Sequence, residues 1–317
     1  MSEKNNANEI RIKRLYDAPI AMVWDAWIDP AQAAQWWGPR GFTLTTLAKD
    51  LRPGGHWTYI MHGPDGTDYP NKAQYLEVEK HAKLVYDHGG NDDQPPMFRV
   101  TVTFSEKAGK TTMDMRMALP TPEAAAATRK FVKQANGEST WDRLAEYLAK
   151  RTLGKEKFVI NRSFDAPLEL MFQMWSDPKH MAQWVAPAGF EVDYIKADIR
   201  DGGSAFYVMT GNGVKMYGRV AYLKIEQPQS LVYHQQFCDQ YENLTRHPMA
   251  PTWPETMATT VQFTQEGPGQ TRVTLTWEPH GPITDEELAT FINARSGMTQ
   301  GWTGSFDHLE AYLAIPR

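Results

Sequence analysis

The chain has 317 residues, of which 41% are hydrophobic and 22% charged, and its formal net charge is −5. This is the composition of an ordinary globular protein, and the acidic balance argues against a nucleic-acid or anionic-membrane partner. One cysteine, Cys238, excludes an intrachain disulfide and a cysteine cluster for zinc. No apolar leader and no apolar run of membrane-spanning length is present, so we expect a cytoplasmic protein.

A cassette of residues occurs twice at a constant interval of 148 positions. The pairs are Asp17 and Asp165, Trp36 and Trp184, Gly41 and Gly189, and Gly55 and Gly203. Rare residues repeating at one fixed spacing indicate two copies of one domain. We predict a first domain over residues 9–151 and a second over 156–315, with a short joint at 153–157.

The first copy is predicted to begin with a strand at Ile10–Tyr16, followed by two short helices. Asp17-Ala18-Pro19 opens the first helix, and Asp29-Pro30 starts the second. Further strands are predicted at 42–51, 57–61, 73–79, 84–88, 97–104 and 111–117. Turn-rich gaps at regular spacing favour an antiparallel meander. From Pro122 a long helical region follows, with Trp141, Leu144 and Leu148 at helical spacing.

The second copy repeats this order and ends in a helix predicted to run unbroken from Asp285 to Leu313. Thr284 and Glu287 supply its capping chemistry. The predicted fold class is therefore α+β, with two tandem domains. In each, a curved antiparallel sheet wraps around a long C-terminal helix, and two short helices follow the first strand. A strongly curled sheet can leave a space against its helix.

Three motifs carry a family resemblance: Asp-Ala-Pro, Trp-Trp-Gly-Pro at Trp36–Pro39, and Arg-x-Gly-Gly at Arg52–Gly55 and Arg200–Gly203. With this element order, the chain resembles the family of the C-terminal domain of the heat-shock-protein-90 ATPase activator. That family belongs to the START-like, birch-pollen-allergen superfamily, and the resemblance implies the helix-grip fold in both halves. Superfamily members bind lipids, hormones or polyketides, cyclise or hydrolyse substrates, or regulate chaperones.

The inner face of each sheet is the predicted ligand site. Trp57, Tyr59 and Met61 share one strand face, and Ala205 and Tyr207 are counterparts in the second copy. Trp57 should narrow the first pocket where Ala205 leaves room, so the two halves should not bind the same molecule. The predicted ligand-binding residues are Trp36, Trp57, Tyr59, Tyr86, Met113, Met115, Trp184, Tyr207, Tyr217, Tyr233, Trp253, Trp277, Met298 and Trp302.

Several of these residues also fit a plain structural role. Trp36 and Trp184 suit core packing as well as a pocket mouth, and a methionine stripe such as Met113 and Met115 is more often core. Paired glycines after Arg52 and Arg200 are explained by a tight turn beside an ion pair.

No metal or cofactor is predicted. His56, His62 and His88 could form a three-histidine site, but solvent-facing or singly hydrogen-bonded histidines are the default. The chain contains no phosphate-binding glycine loop, dinucleotide fingerprint, metalloprotease motif or nucleophile elbow.

The second copy carries 12 extra residues within 237–256, a segment rich in aromatic residues and proline. Tyr241, His247 and Trp253 lie in this insert. A stiff aromatic loop at the end of a sheet could be a lid over the pocket, or it could cover a domain interface or a partner.

The favoured function is a binding protein for a small hydrophobic or aromatic molecule. A co-chaperone-like regulator follows from the resemblance alone, with a chaperone as partner. A pocket enzyme, such as a cyclase, hydrolase or lyase, would use a tyrosine, histidine or glutamate as acid or base. The tandem also predicts an intramolecular pseudo-dimer that imitates a dimer of single-domain relatives.

Overall fold

A computed structural model describes residues 7–89, 95–134, 139–153 and 157–315. The chain divides into two compact units, Met1–Thr152 and Leu153–Arg317, and each is described by itself. The middle of the predicted joint, at 154–156, lies outside the described residues. No helix in the described part of the chain is long and apolar enough to cross a membrane.

The first domain follows the predicted order of elements. These are β1 (Glu9–Tyr16), α1 (Ile20–Ile28), α2 (Pro30–Ala33), β2 (Thr43–Lys49), β3 (His56–His62), β4 (Asp68–Glu79), β5 (Lys83–His88), β6 (Phe98–Lys107), β7 (Lys110–Ala118), α3 (Pro122–Gln134) and α4 (Ser139–Leu153). The helical region after Pro122 is thus two helices.

The seven strands form one antiparallel sheet in the order β1-β7-β6-β5-β4-β3-β2. The last six strands are a meander, and β1 closes against β7 with Glu9 opposite Ala118 and Tyr16 opposite Thr111. Successive residues of a strand point to opposite faces of the sheet, so every second side chain faces the helices. The inner face packs on α1 and α4, where Trp27 and Trp141 stack with ring centroids 5.6 Å apart.

The second domain repeats the architecture and confirms the predicted tandem fold. Its elements are β8 (Phe158–Phe164), α5 (Leu168–Ser176), α6 (Pro178–Met181), β9 (Phe190–Ala197), β10 (Ser204–Gly211), β11 (Val214–Glu226), β12 (Ser230–Cys238), β13 (Thr256–Gly267), β14 (Gln270–Pro279), α7 (Asp285–Asn293) and α8 (Arg295–Leu313). The sheet order is β8-β14-β13-β12-β11-β10-β9.

The C-terminal helix of this domain differs from the sequence prediction. A single helix over 285–313 was expected, whereas Ala294 separates α7 from α8. The predicted start of the helix is confirmed by its capping bonds. The Glu287 N–H donates to Thr284 Oγ1, and the Thr284 N–H donates to Glu287 Oε2. The terminal helical segment therefore has two parts, and each can pack on a different region of the sheet.

The repeated glycine turns have the structural role that the sequence favours. A Cβ at Gly55 would lie 2.2 Å from the Asp50 carbonyl oxygen, and one at Gly203 would lie 2.1 Å from that of Asp198. Only glycine fits such an approach of backbone to backbone. Beside these turns the exposed side chains of Arg52 and Arg200 form ion pairs with Asp50 and Asp198, at 2.9 Å in both copies.

Candidate functional site

The candidate site is the inner face of the second domain, where one row of side chains crosses the sheet. Tyr222 lies opposite Tyr233, Tyr233 opposite Thr259, and Thr259 opposite Trp277. Cross-strand neighbours on one face lie close enough for their side chains to touch. The row therefore places two phenols, a hydroxyl and an indole together beneath the helices.

The core of this domain is divided, unlike that of the first. In the first domain one continuous group of buried residues joins the helices to the whole inner face. In the second, one group includes Trp175 and Phe306, and a separate group on β9–β11 includes Tyr207 and Tyr222. Tyr233 is half-buried and contacts both groups. The division falls in the region where the predicted pocket residues lie.

Equivalent side chains differ in exposure between the domains. Tyr86, Met117 and Trp141 are 6%, 9% and 7% exposed in the first domain. Their second-domain counterparts, Tyr233, Trp277 and Trp302, are only half-buried. Trp253 and Met298, which were also predicted as ligand-binding residues, are half-buried against the same core.

The exchange of Trp57 for Ala205 is accompanied by a second exchange that the sequence analysis missed. In the first domain the Trp57 indole donates to Thr46 Oγ1 on the neighbouring strand at 3.1 Å. The residue in the place of Thr46 is Tyr194, whose ring lies 5.9 Å from that of Tyr207. The second domain thus has a large aromatic ring on β9, the counterpart of β2, where the first domain has it on β3. Comparing β2 with β9 at the 148-residue interval would have shown this exchange.

A third exchange removes an aromatic wall. Trp37 contacts Trp57 in the first domain, with centroids 4.8 Å apart. The second domain has Val185 at this place, half-buried between the two core groups. The exchange replaces an indole beside the Trp57 position with a smaller aliphatic side chain.

The Tyr207 side chain can lie across β11 because the residue opposite it on that strand is Gly218, which has no side chain. A Cβ at Gly218 would come within 2.3 Å of the Tyr207 hydroxyl. Over this glycine the phenol reaches Gln235, whose amide donates to Tyr207 Oη at 2.6 Å. The site thus contains a fixed polar pair among aromatic rings.

The tyrosines of the site are neutral hydrogen-bonding groups. Burial raises the pKa of Tyr207 to about 12, and burial also raises the pKa values of Tyr194, Tyr222 and Tyr233. Tyr194 and Tyr233 nevertheless keep accessible surface.

Several buried polar atoms in this region have no hydrogen-bond partner among the described residues, among them Thr259 Oγ1, Trp175 Nε1 and Trp277 Nε1. Trp277 Nε1 is shielded from solvent and finds no acceptor among the described residues. Its ring lies 5.6 Å from Trp302 and 6.1 Å from Phe158. A buried donor without an acceptor is costly, so a bound molecule that accepts here would gain affinity.

The insert packs on helix α7. Arg246 Nη1 pairs with Glu287 Oε1 at 2.6 Å, Thr252 Oγ1 and Thr290 Oγ1 are 2.8 Å apart, and Trp253 packs against Phe291 with centroids 5.8 Å apart. These contacts fix the segment against the helix that borders the candidate site. The lid interpretation is therefore compatible with its position.

The predicted residues of the first domain form a filled interior. Trp36, Trp57, Tyr59, Tyr86, Met113 and Met115 are at most 6% exposed. Trp36 and its counterpart Trp184 donate to the carbonyl oxygens of Ala26 and Met174 at 3.1 and 3.0 Å. Both tryptophans are held as core residues by these bonds.

Lys49 completes the packing around Trp57. Its Nζ lies 3.9 Å from the centre of the Trp57 ring and donates to the Trp27 carbonyl oxygen at 2.9 Å. Burial lowers the pKa of Lys49 to about 7. The second domain has Ala197 at this place, so the exchange again removes a large side chain.

Other sequence candidates do not converge on the inner face. Tyr217 lies on the opposite face from Tyr207 and stacks on Phe206 at 5.8 Å. His88 shares the inner row with Trp57, whereas His56 and His62 face the other way. In the part of the chain that the structure describes, no three His, Cys, Asp or Glu side chains cluster closely enough to hold a metal ion.

Two curved antiparallel sheets, each packed on terminal helices, define a protein of two tandem helix-grip domains. The model of the Activator of Hsp90 ATPase homolog 1-like protein family matches residues 17–149 and 165–314. The chain belongs to this family, with one copy in each half.

Comparison with solved structures finds single-domain and two-domain matches. A protein from Nitrosomonas europaea is 21% identical, with 47% of this chain and 99% of that chain covered and a TM-score of 0.43. One from Staphylococcus epidermidis is 27% identical, with coverage of 48% and 95% and a TM-score of 0.42. The di-domain ARO/CYC BexL is 13% identical, with coverage of 98% and 99% and a TM-score of 0.39. No curated protein sequence matches the chain.

Proposed function

We propose that the second domain binds a small hydrophobic, aromatic molecule between its sheet and its terminal helices. The observation that carries the proposal is the accessible surface kept by Tyr233, Trp277 and Trp302, whose first-domain counterparts are buried. Half-buried aromatic side chains around a divided core are expected where a ligand completes the packing. The first domain is, in this proposal, a filled copy that does not bind the ligand.

The chemistry of the lining defines the class of ligand. Trp253, Trp277 and Trp302 offer flat aromatic surfaces, and Met298 offers an adaptable one. The Trp277 indole N–H requires an acceptor, such as a keto or hydroxyl oxygen on the ligand. A planar molecule of a few fused rings with at least one oxygen satisfies both requirements.

The electrostatics favour binding over acid–base catalysis. Because burial raises the pKa values of Tyr194, Tyr207, Tyr222 and Tyr233, these phenols stay protonated near neutral pH. A protonated phenol donates a hydrogen bond but is a poor general base, since catalytic pKa values lie near the operating pH. The tyrosines therefore suit recognition of ligand oxygens.

The test is an exchange of lining residues between the domains. A triple variant gives the second domain the first-domain side chains: Val185→Trp, Tyr194→Thr and Ala205→Trp. The matched control gives the first domain the second-domain side chains: Trp37→Val, Thr46→Tyr and Trp57→Ala. Binding of hydroxylated anthraquinones and flavonoids is measured by calorimetry and by the ligand-induced rise in Tm.

We expect the intact chain to bind members of this panel, the second-domain variant to lose binding while remaining folded, and the first-domain variant to retain it. Equal binding by the intact chain and the second-domain variant would refute the assignment to this domain. Absence of binding by every probe would favour a regulator that acts through its surface.

A further inference from the structure

Two neighbouring polar side chains on the inner face of the second domain lack hydrogen-bond partners. Thr259 on β13 lies directly opposite Trp277 on β14. Thr259 is 0% exposed, and the indole nitrogen of Trp277 is shielded from solvent. Neither Thr259 Oγ1 nor Trp277 Nε1 has a partner among the described residues. Because buried polar groups are almost always paired, two adjacent unpaired ones indicate a place where a bound molecule is recognised.

The first domain has an apolar pair at the same position. Val100 lies opposite Met117, and both side chains are buried. The strand registers fix this correspondence. Val100 has Met117 on one side and a tyrosine, Tyr86, on the other, and Thr259 has Trp277 and a tyrosine in the same places. The second domain thus has two hydrogen-bond donors at adjacent positions where the first domain has two apolar side chains.

A second kind of unpaired indole is shared by both domains and belongs to the fold. Trp27 Nε1 in the first domain and Trp175 Nε1 in the second are both buried without a partner in the part of the chain that the structure describes. These two tryptophans are equivalent, since they stand at the repeat interval of 148 residues. The pair of Thr259 and Trp277 has no such equivalent, because the residues in its place carry no side-chain N–H or O–H. Its donors are therefore specific to the second domain.

The Tyr233 phenol lies on the other side of Thr259 and stays neutral. Burial raises the pKa of Tyr233, and a polar contact with Thr259 opposes that rise. Within the described ranges, the Thr259 hydroxyl still has no partner in hydrogen-bond geometry. Since a threonine hydroxyl hydrogen rotates to suit its surroundings, Thr259 can donate to a ligand atom on the Trp277 side.

We propose that Thr259 and Trp277 together recognise a carbonyl oxygen of the molecule in the second domain. The inference rests on the binding function proposed above and adds the class of ligand, an aromatic ketone or quinone. A carbonyl oxygen has two lone pairs, so it can accept from the Thr259 hydroxyl and the Trp277 indole at once. A hydrocarbon of the same shape leaves both donors unpaired and is rejected for that reason.

The experiment compares fluorenone with fluorene, a planar hydrocarbon of the same shape, by equilibrium dialysis against the full chain. We expect fluorenone to bind about tenfold more tightly. Thr259→Val, which keeps the shape of the side chain, should reduce this preference to about threefold, and so should Trp277→Phe. In either variant the infrared carbonyl band of bound fluorenone should move to higher wavenumber, because the carbonyl loses a hydrogen bond. An unchanged preference and an unchanged band in Thr259→Val would overturn the proposal.

A measurement without ligand tests the unpaired hydroxyl separately. In calorimetric scans of the full chain, Thr259→Val should raise the Tm of the second domain by about 2 to 4 °C, because a methyl group replaces a buried hydroxyl that has no partner. The reverse exchange, Val100→Thr, should lower the Tm of the first domain and leave fluorenone binding unchanged. A lower Tm for Thr259→Val would show that the hydroxyl is bonded in the free protein, and it would overturn the proposal.

The triple variant of the interior residues separates this inference from the function on which it rests. It should lose both ligands, whereas Thr259→Val should lose only the preference for fluorenone. Equal affinity of the intact chain for both ligands, with loss of both in the triple variant, would keep the proposed function and overturn the carbonyl site. Binding of neither ligand would overturn the carbonyl site whatever the panel of hydroxylated probes shows.

Discussion

The two domains share one fold but differ in how their interiors are filled. In the first, Trp37, Trp57 and Trp141 close the space between sheet and helix. In the second domain, Val185 and Ala205 stand in the places of Trp37 and Trp57. Trp302, the counterpart of Trp141, is only half-buried. The comparison teaches that a few exchanged side chains on one backbone change how completely the inner face of the sheet is buried. Our proposal assigns the less completely buried interior to ligand binding.

The largest expected effect comes from truncating the paired tryptophans. Trp141→Ala removes a buried ring stacked on Trp27 and should cost about 3 to 5 kcal/mol of unfolding free energy. Trp302→Ala removes its half-buried counterpart, stacked on Trp175 at 6.0 Å, and should cost about 1 to 3 kcal/mol. Urea unfolding of both variants in the full chain measures the difference. Equal losses would mean that the second interior is as tightly packed as the first.

A smaller effect is expected where the Tyr207 side chain lies across Gly218 of the neighbouring strand. Gly218→Ala places a methyl group against the Tyr207 hydroxyl, so the phenol must move away from Gln235. We expect a loss of about 2 kcal/mol, since overpacking and a broken buried hydrogen bond act together. Gly269→Ala, where a Cβ meets nothing within 4 Å, is the control. A neutral Gly218→Ala would contradict the described position of Tyr207.

The smallest effect is the pH dependence that His88 gives to the stability of the first domain. Burial lowers the pKa of His88 to about 4 from 6.5. Between these values the unfolded chain binds more protons than the folded one, so stability falls as pH decreases from 6.5 to 4. The full shift corresponds to roughly 3 kcal/mol. Because the half-buried His88 side chain keeps contact with solvent, we expect a smaller loss of about 1 to 2 kcal/mol over this window.

The variant His88→Gln, which introduces the residue found at Gln235, should flatten this part of the stability profile. Urea midpoints at pH 4.5, 5.5 and 7 test the expectation. The same slope in the variant and the intact chain would assign the pH dependence to other groups.

The fold was predictable from the sequence because the repeat supplied two independent copies of every signal. Turn glycines, the Thr284 cap and alternating strands all indicated the same order of elements, and the structure confirms it. The break at Ala294 was missed, because the apolar spacing continues across it. Ser296 and Gly297 follow the break, and Gly/Ser pairs are among the places where helices bend.

The candidate site was predictable only in part. The contrast between Trp57 and Ala205 followed from the repeat interval, but Tyr194 was missed because only one strand was compared. Tyr217 was expected on the inner face, and the structure places it outside, since Gly218 takes the inner position beneath Tyr207. Strand parity depends on register, and a sequence alone does not fix it.

The most direct test of the account is a crystal of the protein pressurised with xenon, which occupies apolar cavities. We predict a xenon peak in the second domain among Tyr233, Trp277 and Trp302, and none in the interior of the first domain around Trp57. A peak in the first domain alone, or no peak in either interior, would contradict the claim that only the second domain keeps a ligand-sized hollow.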